Sequence, residues 1–338
     1  TKNNLARVDY DGTASSLLAE PMRTNFVVTS ASGTYGSSPA SEILAIAPDG
    51  ENTAIRPVPS TSSNRYQETI AGGTYSSGDE VTYSWYRKRF STPVVDSYVG
   101  DLYINLLVNC TQVGVATEII SDVNGFNRVS ATFSITDGSI DSILRFYFGS
   151  IIGDGNSSVA YWGHQLEVGS YATSYIPTDG GTVTRVQDQY SKTGISNLIN
   201  SEEGVLFVEM AALADDGVAK YLTMNDGSSN NDVRIYFNTA SNGISALLKS
   251  TTGATQAFLS YTVTDTTAFH KIAFVYAVNR FELWVDGEKR AEDLSGIAPV
   301  GLTTLEFSRA SNFLPLFAKV KQLQIFKTTD IDLAALTS

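Results

Sequence analysis

Apolar and polar residues alternate with a period of two along many short stretches of this chain. In the run from Val81 to Lys88, the odd-numbered residues Val81, Tyr83, Trp85 and Arg87 fall on one face, as in a half-buried strand. Clusters of Gly, Ser, Asn and Asp separate such runs at the spacing typical of a sandwich fold. The pattern predicts an almost all-β protein.

The predicted strands form two series. One occupies residues 26–175 and the other residues 198–338, and the stretch between them, residues 176–197, has no periodicity. That stretch contains Pro177, Gly180 and Gly181 and predicts a semi-rigid linker. Residues 1–25 predict an irregular N-terminal segment. A chain of 338 residues is long enough for two cores, so we expect two tandem antiparallel β-sandwiches.

Two pairs of residues signal tight turns. Asp226-Gly227 and Asp286-Gly287 each stand between strand-like runs. An Asp-Gly pair supplies the positive φ angles that a tight hairpin needs. We therefore predict a hairpin turn at each pair.

Two stretches resemble segments of bacteriophage tail-fibre and tail-associated proteins. Residues 7–26, RVDYDGTASSLLAEPMRTNF, are similar to the pattern RxDYxxGxxSLLLEPxRTN. Residues 174–185, SYIPTDGGTVTR, are close to SYIPTxGxxVTR. The resemblance implies a virion protein that acts outside the cell, and residues 7–26 carry no chemistry of their own.

Each predicted domain also resembles a family of sandwich proteins. In the first, EVTYSWYRKR, ILRFYFG and YWGHQLEVGSYATSYIPT are similar to β-sandwich carbohydrate-binding modules, which implies a jelly roll. In the second, HKIAFVYAVNRFELWVDGEKRA resembles the core hairpin of concanavalin-A-like, laminin-G-like lectin domains. AKVKQLQIFKTTDIDLAAL resembles the closing strand of those domains and the helical turn after it, which Thr329 or Asp330 would cap. Both resemblances imply carbohydrate binding.

Charge and composition exclude several classes of partner. The net charge is -12, whereas binding to nucleic acid or to an anionic membrane surface needs concentrated Lys and Arg. The chain has no apolar run of 18 residues, so we expect no membrane insertion. Its single cysteine, Cys110, cannot form an intrachain disulfide.

Residues for catalysis are sparse. The two histidines, His164 and His270, fall in different predicted domains, so neither a nucleophilic triad nor a His-rich zinc site is expected. Glu282 and Asp286 have same-face spacing, but Asp286 belongs to a predicted turn. We predict a protein that is not an enzyme.

Aromatic residues are the candidates for sugar binding, because flat rings stack on the apolar faces of pyranoses. In the first domain the candidates are Tyr83, Trp85, Tyr86, Arg87, Tyr161 and Trp162. A sandwich core also takes large aromatic side chains on its inward face, so a core role is the alternative for these residues.

A structural calcium ion is implied by both family resemblances. Asp226, Asn230 and Asp232 in the stretch NDGSSNND have oxygen ligands of the type that calcium prefers. Glu167, Glu42 and Asp49 are further candidates in the first domain. A polar hairpin loop explains NDGSSNND equally well.

These observations favour a non-enzymatic module of a phage tail fibre or virion appendage that binds host-surface glycans. A structural virion component, such as a head fibre, baseplate or decoration protein that contacts other virion proteins, is one alternative. A polysaccharide depolymerase is another. A homotrimer is suggested only by analogy with other phage fibres, since the sequence has no heptad run.

Overall fold

A computed structural model describes residues 6–11, 14–33, 35–37, 41–58, 65–70, 75–89, 104–108, 110–139, 142–147, 159–310 and 313–338. Its regular structure is nearly all β-strand in antiparallel sheets, which confirms the predicted fold class. None of the described residues belongs to a helix long and apolar enough to cross a membrane.

The chain divides into two compact units with boundaries that differ from the predicted ones. One unit, Met22–Val186, is continuous, and we call it the inserted unit. The other consists of Thr1–Pro21 and Gln187–Ser338, and we call it the split unit. In sequence, the inserted unit therefore lies between two segments of the split unit.

The strands up to the end of the inserted unit are β1 (Arg7–Asp11), β2 (Ala14–Ala19), β3 (Arg23–Asn25), β4 (Tyr35–Ser37), β5 (Ser41–Ala45), β6 (Ala54–Val58), β7 (Arg65–Ile70), β8 (Glu80–Arg89), β9 (Ile104–Val108), β10 (Cys110–Val123), β11 (Phe126–Ile135), β12 (Ser142–Tyr147), β13 (Val159–Val168) and β14 (Val183–Arg185). The strands that follow are β15 (Ser191–Thr193), β16 (Glu203–Ala212), β17 (Lys220–Asn225), β18 (Asp232–Phe237), β19 (Gly243–Lys249), β20 (Thr255–Thr262), β21 (His270–Ala277), β22 (Arg280–Val285), β23 (Glu288–Asp293), β24 (Thr304–Glu306) and β25 (Ala318–Phe326). A short 3-10 helix spans Ser196–Leu198, and helix α1 spans Leu333–Thr337.

The described part of the inserted unit contains three sheets. Their strand orders are β10-β11-β8-β13-β6-β5, β4-β7-β12-β9 and β14-β3. Strand β8 pairs with β11 on one side and β13 on the other. Val81, Tyr83 and Trp85 of β8 belong to one hydrophobic cluster, and Tyr86 packs against a second cluster. The two faces of β8 are divided as predicted, but both are covered, so the strand is not half-buried.

Buried side chains tie the end of β13 to the residues after it. Nε2 of Gln165 donates to the carbonyl oxygen of Thr173 at 3.2 Å, and its Oε1 accepts from N of Ile176 at 2.6 Å. The carboxylate of Glu167 accepts from N of Thr173 at 3.0 Å. These bonds fix the irregular chain between β13 and β14, since each satisfies a buried polar group.

The split unit is a sandwich of two sheets. One has the order β1-β2-β25-β16-β21-β22-β23, and the other β15-β24-β17-β18-β19-β20. Leu206 and Phe274 from the first sheet and Ile235 and Ile244 from the second are fully buried in one shared core. The sheets thus bury their apolar faces against each other.

The prediction of an irregular N-terminal segment over residues 1–25 is wrong. Strands β1 and β2 form a hairpin there, and β2 pairs with β25, with Leu17 opposite Val320. Leu17 packs against the core of the split unit, and Leu18 is 8% exposed. Burial of these apolar side chains against a partner far along the chain is what makes the segment regular.

The predicted linker, residues 176–197, is also built into both units. Strand β14 pairs with β3, and β15 pairs with β24. Ile195 is 5% exposed within the core of the split unit. The two segments of the split unit meet where the chain enters and leaves the inserted unit. There N of Asp188 donates to the main-chain oxygen of Glu20 at 2.9 Å. Arg7 contacts the carboxylate of Glu20 at 2.7 Å and that of Asp188 at 3.2 Å.

One of the two predicted tight turns forms. Asp286 and Gly287 join β22 to β23 with φ angles of 51° and 82°, as a two-residue hairpin turn requires. Asp226 and Gly227 instead begin a longer loop, residues 226–231, between β17 and β18. The predicted helical turn after the closing strand is α1, and its cap is Asp332, whose side chain accepts from N of Ala335, rather than either predicted residue.

Candidate functional site

Three of the residues predicted to bind sugar lie inside the inserted unit on one face of its largest sheet. Tyr83, Trp85 and Tyr161 are 0%, 3% and 4% exposed. The hydroxyl of Tyr83 lies 2.7 Å from Nδ1 of His164, and burial lowers the pKa of His164 to about 3. These rings fill a core because β8 is a central strand, and covered rings cannot stack on a pyranose.

Tyr86 and Trp162 lie on the opposite face, whereas Arg87 pairs with Tyr161 and lies on the first face. Trp162 is 5% exposed, and its ring contacts Tyr175 and Tyr86 at centroid distances of 4.6 and 5.5 Å. Its Nε1 donates to Oγ1 of Thr53 at 3.1 Å. Arg87 is 6% exposed, and Tyr86 is partly buried. The alternative of a core role accounts for the burial of this cluster, and sugar binding by it stays a prediction.

The three residues predicted to bind calcium lie in different surroundings. Asp226 and Asn230 are in the loop between β17 and β18, where Oδ1 of Asp226 accepts from N of Ser228 at 3.0 Å. Asp232 is buried on β18 and accepts from Nε of Arg234 at 3.0 Å. The described residues contain no group of three or more Asp, Glu, His or Cys side chains able to hold a metal. Calcium binding by this loop stays a prediction.

The further calcium candidates in the inserted unit have protein partners or fall outside the described residues. Glu167 is fully buried and accepts from Thr173. Oδ1 of Asp49 accepts from N of Glu51 at 3.0 Å within a turn. The side chain of Glu42 lies outside the described residues.

A second polar region, which the sequence patterns did not single out, lies on the six-stranded sheet of the split unit. Leu222 and Met224 of β17 and Val233 and Ile235 of β18 point into the core, so the residues between them point away from it. We call the outward surface the polar face, formed by Tyr221, Thr223, Asn225, Asp232, Arg234, Tyr236, Ser245, Leu247, Lys249, Phe258 and Glu306. Most of its polar residues are buried.

One row of side chains crosses the polar face from β24 to β20. The strand register places Glu306 beside Thr223, Thr223 beside Arg234, Arg234 beside Leu247, and Leu247 beside Phe258. Neighbouring strands lie about 4.8 Å apart, so the row is roughly 19 Å long. Phe258, at one end, is 56% exposed. The row therefore runs from buried polar groups to an exposed aromatic ring.

Arg234 occupies the centre of the polar face. Its Nε and Nη2 donate to the two carboxylate oxygens of Asp232. Its guanidinium lies 5.7 Å from the ring centre of Tyr221, which stacks on Tyr236 with centroids 4.5 Å and planes 17° apart. These contacts hold Arg234 in one position, as a binding residue requires.

Electrostatic effects at Asp232 show which other cations are near. Burial raises the pKa of Asp232, and the hydrogen bond and charge of Arg234 oppose that rise. The charges of Lys249 and Arg309 oppose it as well. Lys249 lies opposite Asp232 in the register of β18 and β19, and Arg309 is near enough for its charge to act on Asp232.

Three buried polar atoms at or beside the polar face find no hydrogen-bond partner in the part of the chain that the structure describes. They are Oγ1 of Thr223, Nδ2 of Asn225 and Nε of Arg309. Thr223 and Asn225 are 0% exposed. Because nearly all buried polar groups in proteins are paired, such atoms mark a place where a bound molecule can supply the partner.

A signal for this surface was present in the sequence. In KYLTMND and DVRIYFN, polar residues alternate with apolar ones, and in ATQAFLSYTV Phe258 falls between the apolar residues Ala257 and Leu259. A strand with that pattern has Phe258 on its outer face. An aromatic residue on the outer face, beside charged residues of neighbouring strands, is the pattern that would have identified the site.

No protein-family model and no curated protein matches the chain. Among solved structures, the Ruminococcus gnavus IT-sialidase CBM40 bound to alpha2,3 sialyllactose is 16% identical, with a TM-score of 0.36 over 40% of this chain and 83% of that one. Sheep galectin-11 in complex with glycerol is 5% identical, with a TM-score of 0.30 over 42% of this chain and 99% of that one. Domains LG4-5 of the mouse laminin alpha1 chain are 9% identical, with a TM-score of 0.29 over 98% of this chain and 96% of that one. Likeness at this level says nothing about what this chain binds.

Proposed function

We propose that the chain is a carbohydrate-binding protein and that the polar face of the split unit is its binding surface. The observation that carries the proposal is the row from Glu306 to Phe258, in which buried polar side chains lead to an exposed ring. A sugar offers an apolar ring face to an aromatic side chain and hydroxyl groups to polar ones. The row offers partners for both.

The proposed role is binding rather than catalysis. Asp232 is held by Arg234, and Oε2 of Glu306 accepts a hydrogen bond of 3.0 Å from Ser308. Arg234 holds both oxygens of Asp232, so Glu306 lacks the second available carboxylate that acid–base cleavage of a glycosidic bond uses.

We place this activity on a phage tail fibre or another virion appendage that attaches to host-surface glycans. The resemblance of residues 7–26 and 174–185 to phage tail proteins supports this setting. Several copies on one particle would raise a weak single-site affinity by multivalency. The alternative is a structural virion component whose sandwiches serve only in assembly.

The test is binding of the purified chain to an array of bacterial surface polysaccharides. Phe258→Ala should weaken binding about tenfold or more, since loss of one aromatic contact costs at least 1.4 kcal/mol at a well-packed site. Tyr10→Ala is the matched control, because Tyr10 is 72% exposed on β1 of the other sheet. Equal effects of the two changes would argue against the polar face.

The purified chain and the same polysaccharides also distinguish binding from the alternative functions. Release of new reducing ends from a bound polysaccharide would indicate a depolymerase. Failure to bind any polysaccharide, together with tight association with other virion proteins, would indicate a structural component. Either result would replace the proposed function.

A further inference from the structure

We infer that the sugar bound by the polar face is acidic, carrying a carboxylate or a sulfate ester, and that Asn225, Lys249 and Arg309 help to receive the anionic group. The inference rests on the proposed function and narrows it to one chemical class of ligand.

The first reason is that the three polar atoms at or beside the polar face that have no partner among the described residues can all donate a hydrogen bond. Nε of Arg309 and Nδ2 of Asn225 can only donate, and the hydroxyl of Thr223 can donate or accept. The Asn225 amide is held in one orientation, because its Oδ1 accepts a hydrogen bond of 2.7 Å from N of Gly227. A ligand that satisfies all three groups must therefore bring acceptor oxygens.

The second reason is the balance of charge. Lys249 lies opposite Asp232 in the strand register, and the charge of Arg309 also acts on Asp232. Only Arg234 contacts the carboxylate of Asp232 directly. Glu306 accepts from Ser308 and lies two strands away from Asp232 in the sheet order. The direct Arg234–Asp232 pair leaves Lys249 and Arg309 as the cations that can meet a charge on the ligand.

A neutral sugar satisfies this arrangement less well than an acidic one. A hydroxyl group can accept a hydrogen bond, but it brings no charge to balance cations that the ligand covers. A carboxylate or sulfate supplies several acceptor oxygens and a negative charge, and charge-assisted hydrogen bonds are about twice as strong as neutral ones. The net charge of -12 gives the chain no general attraction for acidic polymers, so such binding would report a local site.

The experiment uses the full chain at one fixed ionic strength and compares polymers that differ only in the anionic group. The probes are polygalacturonate, alginate and hyaluronan, each with its carboxyl-reduced form, and dextran sulfate with dextran. We expect at least one acidic polymer to bind about tenfold or more tightly than its neutral counterpart. The pair that shows the difference identifies a carboxylate or a sulfate as the recognised group.

Two results would overturn the inference, and they differ in whether the proposed function survives. Binding only to neutral polysaccharides, or equal binding to both members of every pair that binds, would remove the acidic ligand and leave the proposed function intact. Binding to no polysaccharide of either class would remove both.

Single substitutions test where the anionic group of the polymer binds. Arg309→Gln and Lys249→Gln should each weaken binding of the preferred acidic polymer about 10- to 100-fold, the loss of one charge-assisted contact. Lys192→Gln is the matched control, because Lys192 pairs with Leu305, which packs against the core side of the same sheet. Thermal unfolding of each variant confirms an intact fold. Equal weakening by Lys192→Gln would show a diffuse charge effect and overturn the assignment.

Discussion

The side chain of Asn25 donates a hydrogen bond of 2.9 Å to the main-chain oxygen of Ile176, 151 residues later in the chain. It also donates to the oxygen of His164 at 3.2 Å and accepts from N of Val27 and N of Leu166 at 3.0 and 3.1 Å. Asn25 lies in residues 7–26 and Ile176 in residues 174–185. Those stretches therefore bond to each other and close the inserted unit.

Replacing Asn25 with Ala should destabilise the inserted unit. The change leaves four buried main-chain groups without these partners, and we expect a loss of about 3 kcal/mol in the free energy of unfolding. Thr24→Val is the control, since the Thr24 hydroxyl meets that of Thr184 in an exposed pair and should cost less than about 0.5 kcal/mol. Urea denaturation measures both, and similar losses would contradict a closing role for Asn25.

Acid should destabilise the inserted unit through His164. Burial lowers the pKa of His164 to about 3 from the 6.5 of an exposed imidazole, so the unfolded state binds a proton more readily than the folded state. Stability is therefore full above about pH 6.5 and falls by up to about 1.4 kcal/mol per pH unit as the pH drops towards 3.

Unfolding of wild type and His164→Gln as a function of pH checks this. The variant is less stable at neutral pH, because it alters a buried contact with Tyr83, but its stability should depend less steeply on pH between 6 and 4. Parallel pH profiles would exclude His164 as the source of acid sensitivity.

Trp85→Ala and Phe258→Ala should have opposite effects on stability and on sugar binding. Loss of the buried Trp85 side chain, 3% exposed, should cost about 3–5 kcal/mol of stability. Loss of Phe258, 56% exposed, should change stability by about 0.5 kcal/mol or less while weakening sugar binding. Calorimetry together with the polysaccharide array distinguishes them. A Trp85→Ala protein that remains fully stable but no longer binds polysaccharide would support the sugar-binding site predicted from the sequence, which includes Trp85.

The turn at Asp286 should resist substitution for two separable reasons. Its φ of 51° favours Gly or Asn, and its carboxylate accepts from Nδ1 of His270 at 2.6 Å and from N of Lys271 at 3.0 Å. Asp286→Gly and Asp286→Ala both remove the hydrogen bonds, but only Gly adopts the positive φ without a steric cost. We expect the Ala variant to be less stable than the Gly variant by about 1 kcal/mol; the reverse order in thermal unfolding would contradict this.

Local pattern was sufficient for strands whose alternation is regular. The run VAYWGHQLEV coincides with β13, and the predicted strand at 80–90 is β8. Strands β1 and β2 were missed because the partner of β2 is β25, about 300 residues away. Pairing between strands so far apart in the chain leaves no pattern within a short stretch of sequence. The Asn124-Gly125 turn between β10 and β11, with φ angles of 54° and 75°, was a local signal that was overlooked.

The candidate site was harder to predict because burial depends on the position of a strand in its sheet. Tyr83 and Phe258 both lie in alternating runs, and neither run shows whether its strand is central in a sheet or at the edge. Strand β8 is central, so Tyr83 is covered, whereas β20 is at the edge of its sheet, so Phe258 is exposed. Strand order, which no single run contains, decides which aromatic residue can meet a ligand.

The interruption of the split unit also sets an order for synthesis. All of residues 22–186 leave the ribosome before β25, whereas β2 must wait for Ala318–Phe326 to be made. Domains that are continuous in sequence can fold during translation. A nascent chain halted before residue 318 should therefore carry a protease-resistant inserted unit, while Leu17 and Leu18 remain without the strand that buries them.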